Sequence, residues 1–362
     1  MTTTSPTRIK GRGAASNPEG RFESVRHQAE DDGWQGALLD DTAPRPRTEV
    51  SEERARSIIS RNDSPDVPFE QSINPYRGCE HGCIYCFARP SHSYLNLSPG
   101  LDFETKLFAK RNAAEQLKKE LAHPGYRCTP INLGANTDPY QPIERSHRIT
   151  RSVLEVLHEA RHPCTIVTKN ALVERDLDLL APMARQHLVH VFVSCTQLDN
   201  HLAAKLEPRA SAPHRRIQTI KALNDAGVPC GVLVAPIIPA LTDRDLEHVL
   251  EAASQAGARV AGYTVLRLPW ELKTLFREWL DLNVPQRAEH VMSLVRQMRG
   301  GREYNSDFRT RMHGEGEFAR LLAKRFEVAC RKFGYVRRSE TLALDCTQFK
   351  PPRVPSPQGE LF

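Results

Sequence analysis

The sequence lacks the features that would place it in a membrane or outside a cell. No apolar run approaches the ~20 residues that a membrane-crossing helix needs. Met1 to Gly20 is polar and has no apolar core of the kind a signal peptide carries. Cysteines number nine in 362 residues, few and odd, which excludes a disulfide-stapled mini-protein. Aromatic residues make up only 7% of the chain and form no evident stacking motif. A cytoplasmic location is the expectation. The residues present suffice for a large core: 40% are hydrophobic, and 50 basic residues stand against 44 acidic ones. That balance excludes a wholly disordered chain.

The net charge of +6 is modest but unevenly placed. Residues 287–340 hold 13 Lys and Arg and 7 Asp and Glu, a difference equal to the whole excess. The plain reading is a solvated helix face; the alternative is a surface for nucleic acid or another polyanion.

Residues 1–65 are rich in Thr, Ser, Pro, Gly and charge, with no sustained apolar period. They read as a disordered tail with one short helix at 52–59. Residues 350–362 carry four prolines and read as a flexible C-terminus. Between them, strand candidates at 72–76, 131–135, 165–168, 189–193, 231–235 and 261–266 alternate with helical patterns. One helix is expected at 113–121 and one at 174–183. Another places Val153, Val156, Leu157 and Ala160 on one face, another starts near Pro213 with Ile217, Ile220 and Leu223 as its stripe, and another carries Leu272, Leu275, Phe276 and Trp279. Thr242-Asp243-Arg244-Asp245 resembles a capping box before Leu246, Val249, Leu250 and Ala253. Six strand–helix units imply an α/β fold with a parallel sheet. A complete eight-unit barrel takes ~250 residues, so six units suit an open partial (β/α)6 barrel over residues 66–284. Residues 285–349 read as a basic helical extension packed on that core.

Cys79, Cys83 and Cys86 lie within eight residues, spaced C-x3-C-x2-C, on a loop with Gly78 and Gly82 at the end of the first strand. Such a loop can converge three thiolates on one centre. A closed zinc site wants four protein ligands. A cubane iron–sulfur cluster held by three leaves one iron open, and that iron can chelate the amino and carboxylate groups of S-adenosylmethionine (SAM). The alternatives are zinc with His81 or His92 as fourth ligand, and a redox pair formed by Cys83 and Cys86.

With Tyr85 just before the last cysteine, this motif resembles the signature of the radical SAM superfamily. The wider stretch resembles its spore photoproduct lyase-like branch, on Asn74-Pro75-Tyr76-Arg77-Gly78-Cys79, Thr137-Asp138-Pro139-Tyr140-Gln141-Pro142, Leu206-Glu207-Pro208-Arg209 and Ala235-Pro236-Ile237-Ile238-Pro239. The likeness covers about residues 70–335. It implies a [4Fe-4S] cluster on Cys79, Cys83 and Cys86 and reductive cleavage of SAM to a 5′-deoxyadenosyl radical. The electron would come from a flavodoxin or ferredoxin. Nucleic acid is a candidate substrate.

Working groups of a parallel barrel sit at the C-terminal strand ends. Those positions give Thr137, Lys169, Ser194, Ala235 and Pro236 as cofactor-binding candidates together with Tyr85. The resemblance assigns Lys169 and Ser194 to the SAM carboxylate or ribose, and Tyr85 to the neighbourhood of the adenine. Asp138, Tyr140, Glu144, Glu207, Arg209 and Arg267 are substrate candidates, with Glu207 and Arg209 either pairing together or reaching the cavity. Spore photoproduct lyase has a hydrogen-donating cysteine near the end of strand two, where this chain has Asn136. Cys195 is the alternative donor. His147, His158 and His162 are expected at the surface. The rival to an enzyme is a nucleic-acid-binding protein with a structural zinc, using its basic C-terminal segment.

Overall fold

The structure, a computed structural model, describes residues 8–22, 46–336 and 343–353. Six parallel strands form its centre: β1 (Gln71–Ile73), β2 (Ile131–Leu133), β3 (Cys164–Thr168), β4 (Val189–Ser194), β5 (Cys230–Ile237) and β6 (Val260–Val265). They pair in unbroken chain order, β1 to β6. This is the order produced when each helix returns the chain to the starting end and the next strand adds alongside. All six residues of β4 are buried, as a strand covered on both faces requires. An antiparallel strand, Ile59–Arg61, lies outside β1. The sheet therefore ends at β6 on one side and at this strand on the other, and the barrel stays open as expected.

The main helices are α1 (Ala113–Leu121), α2 (Ile149–Glu159), α3 (Leu177–Arg185), α4 (Pro213–Asp225), α5 (Leu246–Gln255) and α6 (Leu272–Asn283), each near its expected place. In α2, Val153, Leu154, Val156 and Leu157 are buried, the stripe that the spacing announces. Two local readings change. Thr242 caps no helix: its hydroxyl accepts from the Ile238 amide at 2.8 Å, and α5 begins only at Leu246, after a 3-10 turn over Asp243–Asp245. The helix expected at 52–59 is absent. Glu49–Glu53 instead forms a strand parallel to Lys106–Lys110, with Glu49 opposite Lys106 and Glu53 opposite Lys110. A distant sheet partner overrides the local propensity there.

Residues 8–22 and 46–65, inside the stretch read as a tail, lie against the core. Arg12, Gly13 and Ala14 are buried, as are Ala55 and Ile58. The rest of the expected tail, 1–7 and 23–45, falls outside the described residues, as do 354–362 of the expected C-terminus. Within the latter, Lys350 donates its amide to Ala160 O at 2.9 Å.

The extension contains α7 (Ala288–Gln297) and α8 (Gly316–Lys332), separated by an irregular stretch. Its charge is largely compensated. Arg296 pairs with Glu289, Arg309 with Asp307, Arg325 with Glu247, and Lys324 and Arg331 with Glu327. Arg299 is buried and donates to the carbonyls of Thr310 and Leu266. Met312 O accepts from Val265 N at the edge of β6. The neighbouring Arg311 grips Asp66, which precedes β1, through Nε and through Nη2, the latter at 2.6 Å. This ion pair joins the stretch beside β6 to the stretch before β1. No described helix is long and apolar enough to cross a membrane.

His162, expected at the surface, is fully buried. Its ring lies between Phe349 and Tyr126, with the Tyr126 hydroxyl at 2.8 Å from Nε2 and Pro163 O at 3.0 Å from Nδ1. Burial lowers its pKa to about 4. The unfolded chain, with an ordinary histidine, binds this proton at higher pH. Stability from this site is thus complete above about pH 6.5 and falls as pH drops towards 4, by about 3 kcal/mol in all. His162→Gln is expected to flatten this part of the pH–stability curve measured by urea unfolding; an unchanged slope contradicts the assignment.

Candidate active site

The cysteine loop leaves β1 and is folded by its glycines. Gly78 and Gly82 have φ of +73° and +66°, the left-handed region that a side chain resists. The Cys79 amide donates to Phe103 O (2.9 Å), Gly82 N to Cys79 O (3.3 Å), Ile84 N to Leu206 O (3.0 Å) and Cys86 N to Cys83 O (3.2 Å). From the loop after β2, the buried Gln141 clamps the same segment: its Oε1 accepts from Glu80 N at 2.8 Å and its Nε2 donates to Gly78 O at 3.1 Å. Arg89, fully buried, donates to the carbonyls of Gly82, Cys83, Pro99 and Gly100 and to the Glu104 carboxylate. The loop is thereby held at almost every peptide.

Cys79 and Cys83 are buried and Cys86 half-buried. Burial raises the pKa of all three. The charge of Asp138 and of the other two cysteines adds to this at Cys79, and Glu207 adds to it at Cys83. Three buried sulfurs that oppose one another's ionisation become thiolates when a cationic centre compensates them, as iron does. The candidate fourth ligands for zinc are engaged elsewhere. His81 Nδ1 lies 3.3 Å from Asp138 and its Nε2 meets Asn170, while His92 Nε2 faces Lys106 O at 2.9 Å. Among the described residues, no group of three His, Cys, Asp or Glu is close enough to hold a single ion. A cubane makes no such demand, because each of its three protein sulfurs binds a different iron. The donor set fits a cluster better than a lone metal.

Beside this loop lie the ends of β3, β4 and β5. Lys169 Nζ donates to Ser194 Oγ at 2.5 Å and lies 3.5 Å from Ala235 O, on which Ser194 also converges at 3.2 Å. The ammonium is 5.8 Å from the centre of the Tyr85 ring and 3.9 Å from Glu207. Burial lowers its pKa, against the opposing pull of Cys83. Tyr85 donates its hydroxyl to Glu207, and Arg216 of α4 pairs with the other oxygen of that carboxylate. Sequence reasoning missed Arg216. Glu207 takes it as partner rather than Arg209, which binds Glu80 at 2.9 Å. Lys169, Ser194, Tyr85 and the Ala235–Pro236 backbone are thus one constellation, with Glu207 beneath it.

Other candidates stand elsewhere. Thr137 is buried and donates its hydroxyl to Tyr76 O, which ties the loop after β2 to the segment before the cysteines. Asp138 accepts from Thr168 Oγ1 and Lys169 N, both at 2.7 Å, and from Tyr140 N at 2.9 Å. Burial would raise its pKa, yet His81 and these donors hold it below the usual carboxylate range. Tyr140 and Glu144, read as substrate candidates, are fully buried. Tyr140 donates to Asp176, and Glu144 binds Tyr76, Thr150 N and Arg175, a network that joins β2 to α3. Cys195, read as a hydrogen donor, lies within the core with its thiol on Gln197 O at 3.4 Å. The Arg267 guanidinium lies 4.8 Å above the exposed ring of Phe87, which follows Cys86 in the chain.

Phe87 is one of four exposed rings, here called the rim, that the sequence did not reveal. The Arg21 guanidinium lies 4.3 Å from the centre of Trp270, which follows β6, and near Phe22 and Tyr94, whose rings are 5.0 Å apart. All four rings are exposed. They come from three separate parts of the chain, so no local motif announces them.

A sequence profile described as Radical SAM superfamily matches residues 73–253. An uncharacterized protein of Mycobacterium tuberculosis is 39% identical over 233 residues, 64% of this chain and 68% of the relative. One of Methanocaldococcus jannaschii is 25% identical over 245 residues, 68% and 87% of the respective chains. Among solved structures, spore photoproduct lyase complexed with dinucleoside spore photoproduct superposes with a TM-score of 0.51 at 16% identity, covering 79% of this chain and 80% of that one. The last likeness is one of fold.

Proposed function

The chain belongs to the radical SAM superfamily, and from that premise we propose that it is an enzyme holding a [4Fe-4S] cluster on Cys79, Cys83 and Cys86 and cleaving SAM reductively to begin radical chemistry on its substrate. The observation that carries this reading is the three-cysteine loop fixed beside Lys169, Ser194 and Tyr85 at neighbouring strand ends. When bound, the cluster and SAM supply an electron to a C–S bond and a 5′-deoxyadenosyl radical. The chain's residues do the rest. Lys169 and Ser194 present an ammonium and a hydroxyl to an anionic group such as a carboxylate. Glu207 holds Tyr85 by its hydroxyl and limits where its ring can turn. A flavodoxin or ferredoxin is the electron donor in this reading. Anaerobic reconstitution should give about four iron and four sulfide per chain, and methionine should form from SAM under a strong reductant. A colourless protein that holds zinc and leaves SAM intact overturns the proposal.

For the substrate we propose a nucleic-acid strand. Support comes from the rim, where exposed rings interleaved with Arg21 and Arg267 suit stacked bases and phosphates. The fold it shares with a lyase solved with a dinucleoside agrees. The ion pairs that engage Arg296, Arg309 and Arg325 make the described extension a poorer contact surface. Trp270→Ala is expected to weaken binding of a single-stranded oligonucleotide by about fivefold or more, since one base stacked on an aromatic ring contributes about 1–3 kcal/mol. Iron content should not change. Equal binding by the variant and wild type removes the rim from this role.

A further inference from the structure

We infer that residues 12–16 form the outer wall of the cysteine loop, seated by Glu104 and fitted at Gly13, and that this wall controls access to Cys83. The reading of wall and access stands on the metal-free chain; only its consequence for oxygen rests on the proposed cluster.

The segment is polar in sequence, yet Arg12, Gly13 and Ala14 are buried. The amides of Gly13 and Ala14 donate to the two oxygens of Glu104, at 3.0 and 2.9 Å. That carboxylate is itself fully buried and also takes Arg89, the residue that holds the Gly82 and Cys83 carbonyls. One side chain thus ties wall and loop together. Arg12 adds a second tie: Nη1 donates to Glu104 O (3.0 Å), and Nη2 to Pro46 O (2.7 Å) and Thr48 Oγ1 (3.0 Å). Thr48 in turn donates to Glu80 in the loop, at 2.6 Å. Ala14 packs in the same apolar group as Cys83, Ile84 and Tyr85. Farther along, Ser16 O accepts from Leu101 N at 3.1 Å.

The fit at Gly13 leaves no room. A Cβ there would sit 1.8 Å from Gly82 O. That carbonyl cannot retreat freely, because Arg89 Nη2 holds it at 3.1 Å. A side chain at position 13 must therefore lift the segment and carry Ala14 away from Cys83. Glu104 and Arg89 are positioning residues in this scheme, because they act on the loop and touch no reacting group.

The test uses full-length protein in two states. In the metal-free state, alkylation by iodoacetamide is followed at Cys83 by mass spectrometry, with Cys128 as internal reference. Gly13→Val should raise the Cys83 rate about tenfold, as expected when local opening becomes easier by about 1.4 kcal/mol, and leave Cys128 unchanged. Arg12→Ala, which removes ties without adding bulk, should act in the same direction should the valine variant fail to fold. Lys10→Ala, at an exposed position, should have no effect. In the reconstituted state, the visible absorption of Gly13→Val should bleach faster in air than that of wild type. A Cys83 rate in the folded variants equal to wild type overturns the inference. Failure of wild type to assemble a cluster, with the alkylation result as expected, overturns the proposed function and leaves the wall standing.

Discussion

Cys83→Ala protein, prepared without oxygen, is expected to form no methionine from SAM under reductant while keeping its fold. The loss should be complete, because two remaining sulfurs cannot leave a cubane with the single open iron that the proposed chemistry requires. The fold should survive because Cys83 contributes to the loop mainly through its backbone. Its carbonyl accepts from Arg89 and from Cys86 N, and neither contact needs the sulfur. The side chain belongs to a small apolar group with Ala14, Ile84 and Tyr85, and removing one sulfur there should cost about 1 kcal/mol in urea unfolding. SAM cleavage that persists in this variant, or a variant that no longer folds, would count against the assignment in different ways. The first removes the cluster; the second removes only the claim that the loop is held by its peptides.

The second large effect is expected at Glu207. It accepts from Tyr85 and from Arg216, both buried, and lies 3.9 Å from Lys169. Glu207→Ala leaves the Arg216 guanidinium buried without its counter-charge. Its remaining partners are carbonyls, those of Ser211 and Ser194. Breaking such a pair costs about 3–5 kcal/mol, read as a lowered urea midpoint with an unchanged slope. Glu207→Gln keeps acceptor and shape but not charge, and should fall between. Adding Arg216→Met to Glu207→Gln should recover part of the loss, since it removes the unpaired buried charge. A Glu207→Ala protein as stable as wild type would show that the two groups do not depend on each other.

Glu207 also shows how far the sequence can be read. Arg209, two residues on, is the natural guess for its partner, but the chain turns after Pro208 and α4 brings Arg216 back instead. Tyr140 and Glu144 sit in a conspicuous loop after β2, and their chemistry suggests a ligand. Their tips point instead to Asp176 and Arg175 across the scaffold. The six strands were legible because short apolar runs alternate with helix-period segments, and the cysteine loop because its spacing is chemical. Residues 12–16 were not legible. Their fixation depends on Glu104, some ninety residues away, and on backbone amides that carry no side-chain signature. The rim was hidden for a similar reason: Phe22, Tyr94 and Trp270 gather around Arg21 only after folding.

An incomplete barrel has a seam, and in this chain Arg311 and Asp66 fasten it. Strands elsewhere in the sheet separate only by breaking several backbone hydrogen bonds together. Across the seam, this pair of opposite charges is mostly buried, so dissolved ions screen it far less than they do a surface pair. Arg311→Ala would remove this tie and leave every backbone ladder of the sheet intact.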